Sequence, residues 1–302
     1  MTSKTFAPDN LRGILLPITT PFKSELVDHA ALRSNIDHWS TTGITGYVIL
    51  GSTGERVHLD EREYVEVIET TRAATPDGLA FIVGAGQHSV TGTINEIERA
   101  AAASADAVLV ITPHYYRAAM TQEVLVNFYN AVADASPVPV LLYSMPALTG
   151  IKIEPETIAR LSEHENIIAV KDSSNDVAGF AETTKLCPPE FAVLTGNGTV
   201  LLDALRAGAT GAILAVGCVV PEICVEIYDA FKRGDEARAS SLQAKLTPLA
   251  TAVTTKHGIG GLKAALDLAG YKGGSVRAPL RSPDEAARAE IARLLGDNRT
   301  AG

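Results

Sequence analysis

Cysteine is nearly absent: Cys187, Cys218 and Cys224 are the only three in 302 residues. An odd number with no Cys-x-x-Cys spacing argues against a disulfide framework and against a zinc site. Thiols this sparse fit small core side chains in a reducing cytosol. The seven histidines, His29, His38, His58, His88, His114, His164 and His257, show neither His-x-x-x-His spacing nor clustering, so no catalytic metal is expected. Excess positive charge is also missing. The chain carries 26 Lys and Arg against 35 Asp and Glu, a net charge of −9, and no basic patch suggests nucleic acid or an anionic membrane as partner. No apolar run is long enough to span a bilayer. The opening segment Met1–Pro8 is polar and lacks the apolar core of a signal peptide, which makes the cytoplasm the expected location.

What the chain does have is a repeated alternation. Short runs rich in Val, Ile and Leu lie at Gly13–Ile18, Gly46–Leu50, Leu79–Gly84, Ala107–Ile111, Val138–Tyr143, Ile167–Lys171, Phe191–Leu194 and Gly211–Val216. Amphipathic stretches such as Asp28–Thr42, Asp60–Ala74 and Thr91–Ala103 separate them. Near-continuous apolar strands divided by helices indicate a parallel sheet covered on its outside. Eight such units predict an α/β fold, a (β/α)8 TIM barrel, with an open doubly wound sheet as the alternative. After the eighth run the rhythm changes. Pro221–Lys232, Asp235–Thr255, Ile259–Leu268 and Pro283–Leu295 read as helices with no strand between them. The expected division is therefore a barrel over 1–220 and a helical C-terminal extension over 221–302.

In a parallel barrel the residues just after each strand share one rim, which is where such folds keep their chemistry. Lys171 closes the apolar run Ile167–Val170. A primary amine kept from water there is a nucleophile for a keto group, although a lone strand-end lysine also fits a stem that lines the strand with its ammonium in water. Tyr143 is the only polar residue ending Val138–Leu142. It could pass protons to and from a substrate, or be a core tyrosine tied to backbone. Gly51-Ser52-Thr53-Gly54-Glu55 suits a tight turn whose N–H groups and hydroxyls meet an anion such as a carboxylate. Taken alone it suits an ordinary βα turn better, and no Gly-Lys-Ser/Thr follows to make it a phosphate loop.

Together, Gly51–Glu55, the Tyr143-x-x-Pro146-x-x-Gly150 segment and Val170-Lys171-Asp172-Ser173 resemble the signature of the dihydrodipicolinate synthase / N-acetylneuraminate lyase family. The resemblance runs over most of the chain, with the motifs in the family's order and spacing. It implies a Schiff-base pyruvate lyase or aldolase on a (β/α)8 barrel, assembled as a homotetramer or dimer, without organic cofactor or metal. The substrates it implies are pyruvate and an aldehyde. It makes Lys171 the imine-forming amine and Tyr143 the proton shuttle. It gives Ser52 and Thr53 the pyruvyl carboxylate, and it makes Thr53 a relay between Tyr143 and a Tyr115 from a neighbouring subunit. Gly196, Ile213 and Ser173 would line the pocket.

The resemblance also bears on the aldehyde. In the lysine-biosynthetic synthases the Tyr-x-x-Pro segment continues to an arginine that grips the carboxylate of aspartate semialdehyde, whereas Leu148 stands here. The sialic acid lyases carry an acidic pair after the strand-seven glycine, whereas this chain has Asn197-Gly198-Thr199. Three segments look most like a 4-hydroxy-2-oxoglutarate aldolase, which yields pyruvate and glyoxylate: Thr112–Arg117, Tyr143–Pro146, and the tail from His257–Lys263 through Arg277–Leu280. Thr53 departs from that branch, which has asparagine there. An aldolase for a 2-keto-3-deoxy sugar acid and a non-catalytic 2-oxo acid binding protein are the remaining alternatives.

Overall fold

Eight parallel strands close on themselves in the computed structural model, which describes residues 6–299. The beginning of the polar segment Met1–Pro8 lies outside that range. We number the strands β1 (Gly13–Pro17), β2 (Gly46–Ile49), β3 (Ala80–Ala85), β4 (Ala107–Ile111), β5 (Val140–Ser144), β6 (Ile167–Asp172), β7 (Ala192–Thr195) and β8 (Gly211–Ile213). β1 pairs with β2 on one side and β8 on the other, which closes the barrel. The fold is a (β/α)8 TIM barrel with added C-terminal helices. Several strand limits differ from expectation. The run from Phe191 begins one residue later, and the run to Val216 stops at Ile213 because Ala215–Cys218 curl into a 3₁₀ turn.

The strands are apolar up to their C-terminal ends because both of their faces are covered. The period-two alternation of side chains assigns those faces. Leu15, Val48, Ile82, Leu109, Leu141, Ala169, Leu194 and Ile213 fill the barrel interior. Their neighbours, among them Leu16, Tyr47, Val83, Val110, Leu142, Val170 and Val193, face the surrounding helices in one continuous outer core.

One irregularity affects the site. Val140 pairs with Ile167, but the next residue, Leu141, pairs with Ala169, so β6 carries one extra residue against β5. Ile168 and Ala169 therefore both lean toward the interior. A one-residue slip exchanges the two faces of a strand. Because of it Lys171 lies opposite Tyr143 and on the same, inward face.

Beyond β1 the chain makes a small hairpin, Phe22–Lys23 with Leu26–Val27, which the sequence reading does not contain. Pro221–Lys232 follows β8 as the other outer helices follow their strands. Glu236–Thr251 then runs into a wide π-type turn at Ala252–Lys256, where one helix over Asp235–Thr255 is expected. Gly258–Ala269 and Glu285–Arg299 complete the addition. Leu246, Leu249, Leu262 and Leu266 belong to the barrel's own outer core. Among the described residues no helix is long and apolar enough to cross a membrane.

Candidate active site

Two adjacent strands bring an amine and a phenol together at the C-terminal rim. Tyr143 and Lys171 are register partners on β5 and β6, and Lys171 Nζ lies 4.3 Å from the centroid of the Tyr143 ring. The two residues are only 3 % and 4 % exposed, respectively. A cation over a π face is an attractive contact, and it replaces the escape to solvent open to a lone strand-end lysine.

The third group comes from the loop after β2. Ser52 Oγ stands 3.0 Å from the Tyr143 hydroxyl. Sequence resemblance gives that relay position to Thr53. Thr53 is also buried, but of the two neighbouring hydroxyls it is Ser52's that meets the phenol. The loop's path explains why. Gly54 N–H donates to the Gly51 carbonyl and Glu55 N–H to the Ser52 carbonyl, while Leu50 and Glu55, with φ of 56° and 55°, take the left-handed conformation. Non-glycine residues there cost energy and persist only where the surroundings hold them. At Leu50 the surroundings include Gly84, where a Cβ would stand 2.8 Å from Gly51 N.

Gly196, just past β7, donates its N–H to the Asp172 carbonyl at 2.6 Å. A methyl group there would lie 2.9 Å from Lys171 Cε and overlap the Ser173 hydroxyl. The missing side chain is what lets Lys171 and Ser173 pack against the backbone at this point. Ile213 is fully buried in the barrel interior. Asp172 accepts the Ser174 N–H at 2.7 Å. Burial raises its carboxyl, with hydrogen bonds from Ser174 opposing. Tyr115 is 72 % exposed and sits among His88 and Tyr116, away from the barrel interior. Among the described residues no group of three or more His, Cys, Asp or Glu side chains could hold a metal ion.

The electrostatics single out Tyr143. Burial alone pushes a phenol up, as it does to about 12 at Tyr64. At Tyr143 that effect is outweighed by the nearby Lys171 charge and by hydrogen bonding to Ser52, Ser173 and Lys171, so this phenol ends below the ordinary value of 10.0. The sign gives a prediction that needs no substrate. Lys171→Met removes the charge that favours phenolate and leaves burial opposed by the serine hydroxyls alone. Tyr143 should then ionise at higher pH than in the wild type. A tyrosinate absorbance titration, differenced against Tyr143→Phe, reads the shift; an unchanged or lowered value contradicts the assigned cause.

Residues 10–298 match the dihydrodipicolinate synthetase family. A 4-hydroxy-tetrahydrodipicolinate synthase from Syntrophus aciditrophicus is 34 % identical over 284 residues, which is 94 % of this chain and 97 % of the relative. One from Methanothrix thermoacetophila is 34 % identical over 286 residues, 94 % and 96 % of the two chains. Among solved structures, dihydrodipicolinate synthase from Thermotoga maritima superposes with a TM-score of 0.92 at 28 % identity, covering 96 % of this chain and 99 % of the other. A prophage protein of E. coli K12, belonging to the same family and solved in complex with pyruvate, gives 0.89 at 28 % identity over 95 % and 98 %. These relatives carry the synthase or family name, and the likeness to the 4-hydroxy-2-oxoglutarate aldolases rests on the sequence motifs alone.

Proposed function

The chain belongs to the dihydrodipicolinate synthetase family, and from that membership and the geometry of Lys171, Tyr143 and Ser52 we propose that it joins or cleaves pyruvate and an aldehyde through a Schiff base. The observation that carries this reading is the buried Lys171 amine over the Tyr143 ring, with the phenol hydrogen-bonded to Ser52. Lys171 Nζ adds to the 2-oxo carbon of pyruvate, and loss of water gives the protonated imine. Loss of a C3 proton yields the enamine, whose C3 attacks the aldehyde carbon. The resulting alkoxide takes a proton from Tyr143, and water releases the product and restores the amine. Cleavage runs the same steps backward, with Tyr143 taking the 4-hydroxyl proton. N–H groups and hydroxyls at Ser52 and Thr53 hold the pyruvyl carboxylate, so orientation supplies part of the rate. By the family resemblance, Gly196, Ser173 and Ile213 face the three-carbon unit.

For the aldehyde, the relatives' name favours aspartate semialdehyde, the synthase reaction. Leu148, 59 % exposed on the short helix Pro146–Thr149, cannot bind a carboxylate as an arginine would. A cation stands close by, however. A Cβ on Gly150 would lie 2.9 Å from Arg117 Cζ, which puts that guanidinium two residues from Leu148. The second reading, cleavage of 4-hydroxy-2-oxoglutarate to pyruvate and glyoxylate, rests on the likeness of Thr112–Arg117, Tyr143–Pro146 and the His257–Lys263 tail.

Coupled assays with each substrate separate the two. The synthase reading expects turnover of pyruvate with aspartate semialdehyde to exceed that of 4-hydroxy-2-oxoglutarate, and Arg117→Leu to lower kcat/KM for the semialdehyde about 10- to 100-fold, the scale of a charged hydrogen bond. Pyruvate and glyoxylate released faster than semialdehyde is consumed would select the second reading. We further propose a dimer or tetramer in which an exposed Tyr115 completes a neighbour's site, and a cytoplasmic setting that suits three free, buried cysteines.

A further inference from the structure

The loop that carries Ser52 is tied to the C-terminal extension through a buried charge pair that the chemistry above does not use. Lys263, on Gly258–Ala269, is 1 % exposed, and Glu55 is 2 % exposed. Lys263 Nζ lies 2.5 Å from Glu55 Oε1 and donates to the carbonyls of Thr20 at 2.7 Å and Ser275 at 2.6 Å. Two carbonyls thus accept from the ammonium, and the Glu55 carboxylate stands against it as an ion pair. Its remaining side is capped by the Phe22 ring, 4.4 Å to the centroid. The other Glu55 oxygen lies 3.1 Å from His58 Nδ1 and accepts the Arg277 N–H at 3.2 Å. A second tie runs beside the first: Thr20, whose carbonyl Lys263 holds, donates its hydroxyl to the Gly54 carbonyl at 2.8 Å.

Taking a lysine and a glutamate out of water is costly, and a well-packed apolar pair at such a place is often as stable or more so. A gain in stability is therefore a weak reason for this pair. Its position offers a better one. Glu55 and Gly54 end the turn that begins at Ser52, and Glu55 is held in left-handed backbone. Burial pulls the Lys263 ammonium down, with Glu55 acting against that, so the Lys263 charge depends on Glu55 staying in place. A proton path works only if its groups keep hydrogen-bond distance, which makes a rigid anchor two to three residues from Ser52 useful.

We infer that Glu55 and Lys263 are positioning residues that hold the Ser52 hydroxyl against the Tyr143 phenol, coupling the C-terminal extension to the proton path at the barrel mouth. This rests on the pyruvate reading for its role in turnover but not for its geometry. Glu55→Gln keeps the shape and removes the charge. With Ser52 displaced, the Tyr143 phenol loses a hydrogen bond that favours its ionised form and titrates at higher pH. In the full-length protein kcat/KM falls about tenfold, the scale of one lost hydrogen bond.

The decisive comparison is a double-mutant cycle with Ser52→Ala. If Glu55 acts through Ser52, then Glu55→Gln moves the Tyr143 titration in the wild type and adds nothing once Ser52 is alanine. An unmoved titration in folded Glu55→Gln, or shifts that simply add, overturns the inference and leaves the pair a structural contact. Should Glu55→Gln not fold, Thr20→Val deletes the parallel tie to Gly54 at constant shape, and the same two outcomes decide. Because the titration uses no substrate, a failure of pyruvate to react with the wild type would count against the proposed function alone.

Discussion

Lys171→Ala is expected to lower kcat/KM by on the order of 10⁴-fold or more while leaving the barrel folded, the scale on which loss of a member of a nucleophile–base unit acts. The reason is local. Lys171 is the amine that β6 turns inward beside Tyr143, and the other buried lysine among the described residues, Lys263, is occupied by Glu55 and two carbonyls. Truncation at the rim forfeits mainly the contact with the Tyr143 ring, worth about 0.5–2 kcal/mol, so thermal unfolding should change little. Steady-state kinetics beside a melting curve check both halves. Activity within tenfold of the wild type would remove Lys171 from the chemistry.

Tyr143→Phe should lower kcat by about 10²–10⁴-fold, the range for a positioned proton-transfer group, with a smaller change in KM for pyruvate. The substitution keeps the ring beneath Lys171 and deletes only the hydroxyl bonded to Ser52. Imine formation with pyruvate therefore continues, though more slowly, and it is the step joining or breaking the carbon–carbon bond that suffers. The two variants are distinguishable: one loses the covalent adduct, the other keeps it. Equal kcat in Tyr143→Phe and wild type would mean that another group carries the proton.

Much of this architecture is legible in the sequence because its signals are local. Apolar runs alternating with amphipathic segments are enough to predict eight parallel strands, and a strand-end rule is enough to nominate Lys171 and Tyr143. That the two face the same way is not legible. It depends on the extra residue in β6 near Ile168, and nothing in the run Ile167–Val170 marks a bulge. The choice between Ser52 and Thr53 is hidden for a similar reason: adjacent hydroxyls look alike until the folded loop sets the Ser52 hydroxyl against the Tyr143 phenol. Lys263 gives no local sign of burial either. Its partners Glu55 and Thr20 are more than 200 residues away in the chain, and a lysine on a helix is ordinarily read as facing solvent.

The central claim, that Lys171 forms a Schiff base with pyruvate, is tested most directly by incubating the protein with pyruvate and borohydride and locating the modified peptide by mass spectrometry. The account predicts a single reduced pyruvyl adduct on Lys171, absent from Lys171→Ala and present in Tyr143→Phe. Folded wild-type protein that takes up no adduct, or takes it up on a different lysine, would contradict it.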